Sequence, residues 1–320
     1  MPSLLDLFRV LSSFAPARTD LSKGPWEQYV DWAIAQGLAP LAAYNLEYRL
    51  GGAGAPAWAR DRMLSIYQGS LNDNVMKLVN FKRAIDGLEG RKVVLLGAAT
   101  FAESLYPHVG FRPVLDIRVL VPPMDVDPFS RFLGQVEMVP TDAPQDLAPA
   151  EQVLSDGRTM VFVHGKLTGD RAIDKAVIDR SLPNPVYGPS ARKLSLEDAV
   201  LAHVLLIARA NFEVPMLEWI DLRELLLGAP STGAFAGPPD AATLNARVKE
   251  WKLGRPFYAA LSVAERLFPE LEKTVAPLKP ELSWPVRELI DRLLVTPVSQ
   301  VGRTEGLTLE EPVRHALAGA

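Results

Sequence analysis

Apolar residues recur at helical spacing near both ends of the chain and in compact runs in its middle. Leu4, Leu5, Phe8 and Leu11 predict a first helix. Pro25 suits the first position of a second helix through WEQYVDWAIAQ, which Gly37 ends. A third is expected from about Trp58 to about Leu88, with Leu64, Tyr67, Leu71, Val75, Leu78, Ile85 and Leu88 on one stripe. The period then changes. KVVLL, ending at Leu96 before Gly97, reads as a buried strand and a tight turn. The helix ATFAESLYPH follows, then a strand LDIRVLV stopped by Pro122 and Pro123, a helix DVDPFSRFLGQV and a strand TMVFVHGKL. That order predicts a small mixed sheet with helices packed on it.

From Ser195 the helical period returns. SLED reads as a capping box, with the Asp198 carboxylate reaching back over the helix start. AVLAHVLLIARANF and PMLEWIDLRELLLG are helices, GAPSTGAFAGPPD is a loop, and two or three more helices are expected over about Ala241 to Leu294. The fold class expected is therefore α+β. Residues 1–90 form an N-terminal helical part, 91–190 the sheet-bearing core, 191–296 a C-terminal helical part and 297–320 a tail of weak periodicity.

Composition narrows the function classes. The 320 residues are 48% hydrophobic and 22% charged, with a formal net charge of −4, which gives no electrostatic reason to expect nucleic-acid binding. There is no cysteine, so disulfides, thiolate metal sites and cysteine nucleophiles are excluded. No uncharged apolar run approaches the roughly 20 residues that span a bilayer. The N-terminus carries Asp6 and Arg9 without a basic leader, so a cytoplasmic location and no membrane association are expected.

The candidate chemistry centres on RPVLDIRVLV. Residues two apart on a strand share a face, so Asp116 and Arg118 are expected side by side. Two carboxylates there would chelate a cation, whereas Asp and Arg pair with each other. His164 and Lys166, in VHGK, are likewise expected on one face. The turn at Gly97 leads into a helix start, where unpaired N–H groups favour anions, and Arg112 and Arg118 can add charge-assisted contacts to phosphate or carboxylate.

The stretch VVLLGAATFAESLYPHVGFRPVLDIRVLV, the later strand MVFVHGKL and the helix LEWIDLRELL resemble a bacterial family of uncharacterised nucleotidyltransferases, a branch of the polymerase-beta-like nucleotidyltransferase superfamily. The likeness runs over about Trp26 to Phe268. It implies an apolar strand ending in Lys-Gly, a strand with Asp-x-Asp, and a third carboxylate on a later strand beside a histidine. This chain has Leu96 at the lysine position, keeps Gly97 and Asp116, and places Arg118 and Phe162 where the second and third carboxylates are implied, with His164 at the histidine. Transfer of a nucleotidyl group needs Mg²⁺ held by oxygen ligands. With a guanidinium in the second position and a phenyl ring in the third, the expected reading is a scaffold that has lost two-metal catalysis. Such a scaffold would need no cofactor and would bind a nucleotide or other anion, or a peptide or protein partner in a biosynthetic pathway. The alternative is an active Mg²⁺-dependent enzyme with rearranged ligands. Whether Arg118 serves a ligand or only satisfies Asp116 stays open at this point.

Further candidates have plainer readings. His203, among Val200, Leu201 and Val204, is expected to be a buried, hydrogen-bonded residue, and Asp221 to support the cleft. Asp125 and Asp127 are expected in a loop or helix cap, and the histidines 108, 164, 203 and 315 lack zinc spacing. Trp26, Trp32, Trp58, Trp219 and Trp251 are expected in the core, with a groove between the two helical parts as a place for a peptide.

Overall fold

A computed structural model describes residues 1–52, 54–88, 90–142, 150–228, 235 and 237–293. The tail at 297–320, His315 and most of the loop after Gly228 lie outside the described residues. Four helices come first: α1 (Leu4–Leu11), α2 (Trp26–Ala35), α3 (Ala39–Tyr44) and α4 (Ala57–Ile85). The middle alternates β1 (Val93–Leu96), α5 (Ala98–Ser104), β2 (Ile117–Leu120), α6 (Val126–Gly134), β3 (Val139–Pro140), β4 (Gln152–Ser155), β5 (Met160–His164), α7 (Arg171–Arg180), β6 (Leu182–Pro183) and β7 (Ala191–Lys193). The chain continues through α8 (Leu196–Arg209), α9 (Met216–Leu227), α10 (Ala241–Glu250), α11 (Gly254–Leu267), α12 (Glu272–Val275) and α13 (Trp284–Leu293).

The seven strands form one mixed sheet in the order β3-β4-β5-β2-β1-β7-β6. β2 runs antiparallel to β1 and parallel to β5, with Arg118 opposite both Leu96 and Phe162, and Leu120 opposite His164. Four strands exceed the three expected. The short β3, β6 and β7 carry too few residues to show a period, and β4, QVLS, is half-exposed and polar at both ends. Helix α7 is an addition to the expected elements; its sequence RAIDKAVIDR is half polar, and Asp170 caps it by accepting from the N–H groups of Ala172 and Ile173.

Each sheet face buries a different core. On one face Val93, Leu95, Val119 and Val161 pack with Phe81 of α4 and Phe129 of α6. On the other, Val94 and Leu120 join a single cluster that includes Phe8 and Trp32 from the first helices and Val204, Trp219 and Phe257 from the last ones. The two helical parts meet directly: Phe8 lies 5.6 Å from Phe268, Arg9 donates to the Leu267 carbonyl (3.0 Å), and the Met216 N–H donates to Gln36 Oε1 (2.8 Å). These contacts lie along the seam where a groove between the two parts is expected. Trp26, Trp32, Trp219 and Trp251 are buried as expected, but Trp58 at the start of α4 is exposed.

Helix α4 also departs from its stripe. Val75 is exposed, while the polar Asn74 and Lys77 are buried. Asn74 Nδ2 donates to the carbonyls of Val109 (2.6 Å) and Arg112 (2.8 Å), and its Oδ1 accepts from the Val114 N–H (2.8 Å). Lys77 Nζ donates to the Val114 carbonyl (2.9 Å) and pairs with Asp73 (2.7 Å). A buried segment without a ladder needs partners for its backbone groups, and these two side chains supply them. They hold the run that delivers Asp116 to the sheet.

Candidate functional site

The strand expected from Leu115 begins at Ile117, and Asp116 sits just before it. The pairing of Asp116 with Arg118 nonetheless forms: Arg118 Nε donates to Oδ1 at 3.1 Å and a terminal nitrogen to Oδ2 at 3.3 Å. Across the ladder Phe162 lies under the guanidinium, whose carbon is 4.9 Å from the ring centroid. The side chains at the three positions where the resemblance implies carboxylates are thus neighbours in space. Together they make a carboxylate, a guanidinium and a buried ring in contact. Arg118 fills the place between the other two and carries its own positive charge there.

Gly97, Arg112, Asp116, Arg118, His164 and Lys166 all line one cavity of ≈ 320 Å³ between this end of the sheet and helices α8 and α9. Gly97 takes φ +56° and ψ −132°, a backbone region that residues with a Cβ avoid. It turns the chain from β1 into α5, which is a short helix of seven residues. β5 ends at His164, so Lys166 stands beyond the strand, yet it reaches the same cavity. Phe101, Leu115, Leu205, Leu206 and Phe235 supply an apolar wall.

Arg112 enters the cavity as part of a buried network. Nε and one terminal nitrogen donate to Asp221 Oδ2 (3.1 and 2.7 Å), the same nitrogen to Glu218 Oε1 (2.7 Å), and the other to the Pro113 carbonyl (2.9 Å). Tyr106 donates to Asp221 Oδ1 at 2.7 Å, and His203 Nε2 meets the Glu218 carbonyl at 2.7 Å. Burial pushes the Asp221 carboxyl above its ordinary range despite Arg112. Burial acts on Glu218 in the same sense, but Arg112 and His203 outweigh it and hold that carboxyl below its ordinary range. Asp221 thus anchors the cleft, as its place in the sequence suggested. Arg112 spends most of its donors on these carboxylates and on Pro113.

A metal could be sought at His203, Glu218 and Asp221, whose ligand atoms lie within 4.8 Å of one another. Their donor atoms fit a metal poorly. Both Asp221 oxygens and Glu218 Oε1 already accept hydrogen bonds, and a guanidinium lies against both carboxylates. Asp125 and Asp127 lie away from the cavity, the first paired with Arg91 (2.9 Å) and the second accepting from Gln152 (2.7 Å). In the SLED box the Asp198 carboxylate reaches back to Ser195 as expected, accepting from its hydroxyl at 3.1 Å. Ser195 Oγ accepts from the Asp198 N–H, and the same carboxylate also pairs with Arg180 (2.6 Å) and Arg247 (3.2 Å).

Sequence reasoning missed three groups in the cavity wall: Thr100, Arg209 and Glu218. Arg209 had a signal, a lone cation closing the apolar run AVLAHVLLIAR. Thr100 and Glu218 had none, since single polar residues on a helix are ordinary.

No described helix is long and apolar enough to cross a membrane. No curated protein and no solved structure matches the chain. The family model of an uncharacterised nucleotidyltransferase matches residues 22–269, which hold the sheet, the cavity and the Arg112 network, and the chain belongs to that family.

Proposed function

We propose that this cavity binds an anionic ligand, such as a nucleotide, without a divalent cation, and that two-metal nucleotidyl transfer has been lost. The observation that carries this reading is Arg118, bonded to Asp116 and stacked on Phe162. A cation bridging phosphates needs oxygen ligands at this place. Here one carboxylate is occupied by a guanidinium, and the neighbouring position is a ring 2% exposed. At about 4 Å and an effective dielectric near 20, each unit of like charge costs about 4 kcal/mol. A divalent ion beside Arg118 would meet roughly twice that cost. Among the described residues the rearranged-ligand alternative has the cluster His203, Glu218 and Asp221 to draw on, and both Asp221 oxygens and Glu218 Oε1 are bonded to Arg112 or Tyr106.

Thermal unfolding with nucleoside mono-, di- and triphosphates tests the reading, in EDTA and in Mg²⁺. Stabilisation in EDTA at least as large as in Mg²⁺ is expected. Stabilisation confined to the Mg²⁺ arm, or product forming at an enzymatic rate, would overturn it. Silence in both arms would point to a protein or peptide partner. Arg118→Asp places two carboxylates side by side and is expected to introduce Mn²⁺ binding without turnover.

A further inference from the structure

Four cationic side chains line the cavity, Arg112, Arg118, Lys166 and Arg209, with two carboxylates, Asp116 and Glu218. Arg118 pairs with Asp116 and Arg112 with Glu218. Both carboxylates are thereby used. Among the described residues, Lys166 and Arg209 have no carboxylate within ion-pair distance. Arg209 is held by one hydrogen bond, its terminal nitrogen donating to the Leu167 carbonyl at 2.8 Å. That bond sets the guanidinium beside the backbone of Leu167, the residue that follows Lys166, and the side chains of both Lys166 and Arg209 line the cavity. Burial, opposed only by the charge of Asp174, lowers the Arg209 pKa. Asp174 is itself engaged, accepting from the Thr168 N–H and hydroxyl (both 2.7 Å). Thr100, 3% exposed, also lines the cavity, and its hydroxyl oxygen has no hydrogen-bond partner among the described residues.

Two exposed cations without an ion pair among the described residues, beside an apolar wall, define a ligand chemistry. A phosphomonoester carries about −1.5 to −2 charges at neutral pH and three acceptor oxygens, which matches two cations and a hydroxyl. The walls of Phe101, Leu205, Leu206 and Phe235 suit an aromatic or aliphatic body. A triphosphate brings more charge than these two side chains offset, and the metal that would make up the difference is opposed by Arg118. Resting on the metal-free reading above, we propose that Arg209 and Lys166 anchor a phosphomonoester whose apolar body lies against this wall, in preference to a nucleoside triphosphate.

Calorimetric titration of the full chain in EDTA tests this with phenyl phosphate, AMP, inorganic phosphate and ATP as probes. Phenyl phosphate and AMP are expected to bind more tightly than inorganic phosphate, which lacks the body, and than ATP. Arg209→Gln and Lys166→Gln are each expected to weaken phenyl phosphate about tenfold with the unliganded melting temperature kept, and Arg209→Lys to retain most of the affinity. ATP in EDTA binding as tightly as AMP would overturn the ligand class while leaving the metal-free cavity standing. ATP with Mg²⁺ binding more tightly than every metal-free probe would overturn the cavity reading itself. Unchanged affinity in both glutamine variants, or silence from all four probes, would overturn the anchors.

Discussion

Replacing Arg112 with Met removes the guanidinium that the buried Asp221 and the partly buried Glu218 share. The Arg112 side chain is 6% exposed, that of Asp221 0% and that of Glu218 17%. Methionine keeps much of the volume, so the loss is electrostatic more than steric. Removing one partner of a buried pair costs about 3–5 kcal/mol, because the charge left behind is neither solvated nor paired. Against a total stability of about 5–15 kcal/mol this is a large fraction. Without the guanidinium Glu218 loses the largest charge that holds it down, while Asp221, already held above its ordinary value by burial, should rise further. Ionisation of such a group opposes folding above the folded pKa, and the penalty fades as pH falls towards the unfolded value near 4. The deficit of the variant should therefore shrink between pH 7.5 and pH 5. Urea unfolding followed by fluorescence of the six tryptophans reads both effects. Arg112→Lys, which keeps the charge but not the fork, should lose less. A deficit under about 1 kcal/mol at pH 7.5, or one that does not change with pH, would refute the claim that this network is dry and depends on its guanidinium.

Other expectations follow the same physics. Asn74→Ala orphans the carbonyls of Val109 and Arg112 and the N–H of Val114, and should cost about 2–3 kcal/mol in urea unfolding while weakening ligand binding, since Asp116 hangs from that segment. Gly97→Ala meets no neighbouring atom, yet at φ +56° and ψ −132° it should destabilise by about 1–3 kcal/mol from backbone strain alone; a neutral result would mean the turn relaxes. Burial, opposed by the Tyr187 hydroxyl and Lys82, raises the Glu103 carboxyl above its ordinary value. Its ionisation thus works against folding above the folded pKa, and the effect is gone below the unfolded pKa. Glu103→Gln should raise the melting temperature at pH 8 and lose that advantage at pH 4; equal gains at both would show the effect is not titration.

Much of the order of elements was legible along the chain. Helical spacing marked α1, α2 and α4, and the compact runs VVLL, IRVL and MVFVH marked the three central strands of the sheet, because buried strands are rich in β-branched and aliphatic residues. The expectation that Arg118 and Phe162 stand where the family resemblance implies acidic residues rests on the sequence alone. The short edge strands were not legible, since two or three residues show no period, and the stripe of α7 rests on only Ile173, Val177 and Ile178 in a half-polar segment.

The sequence by itself determined the α+β class and the pairing of Asp116 with Arg118, because both follow from local periods that neighbouring residues share. Only the tertiary structure decided that Phe162 lies beneath Arg118, that Arg112 is tied up by Glu218 and Asp221, and that Arg209 bonds the Leu167 carbonyl at the wall that Lys166 also lines. These contacts join residues 40 or more positions apart. They depend on strand register and on how α8 and α9 dock on the sheet. Both are set by the summed packing of two cores, and no single stretch of chain contains that information.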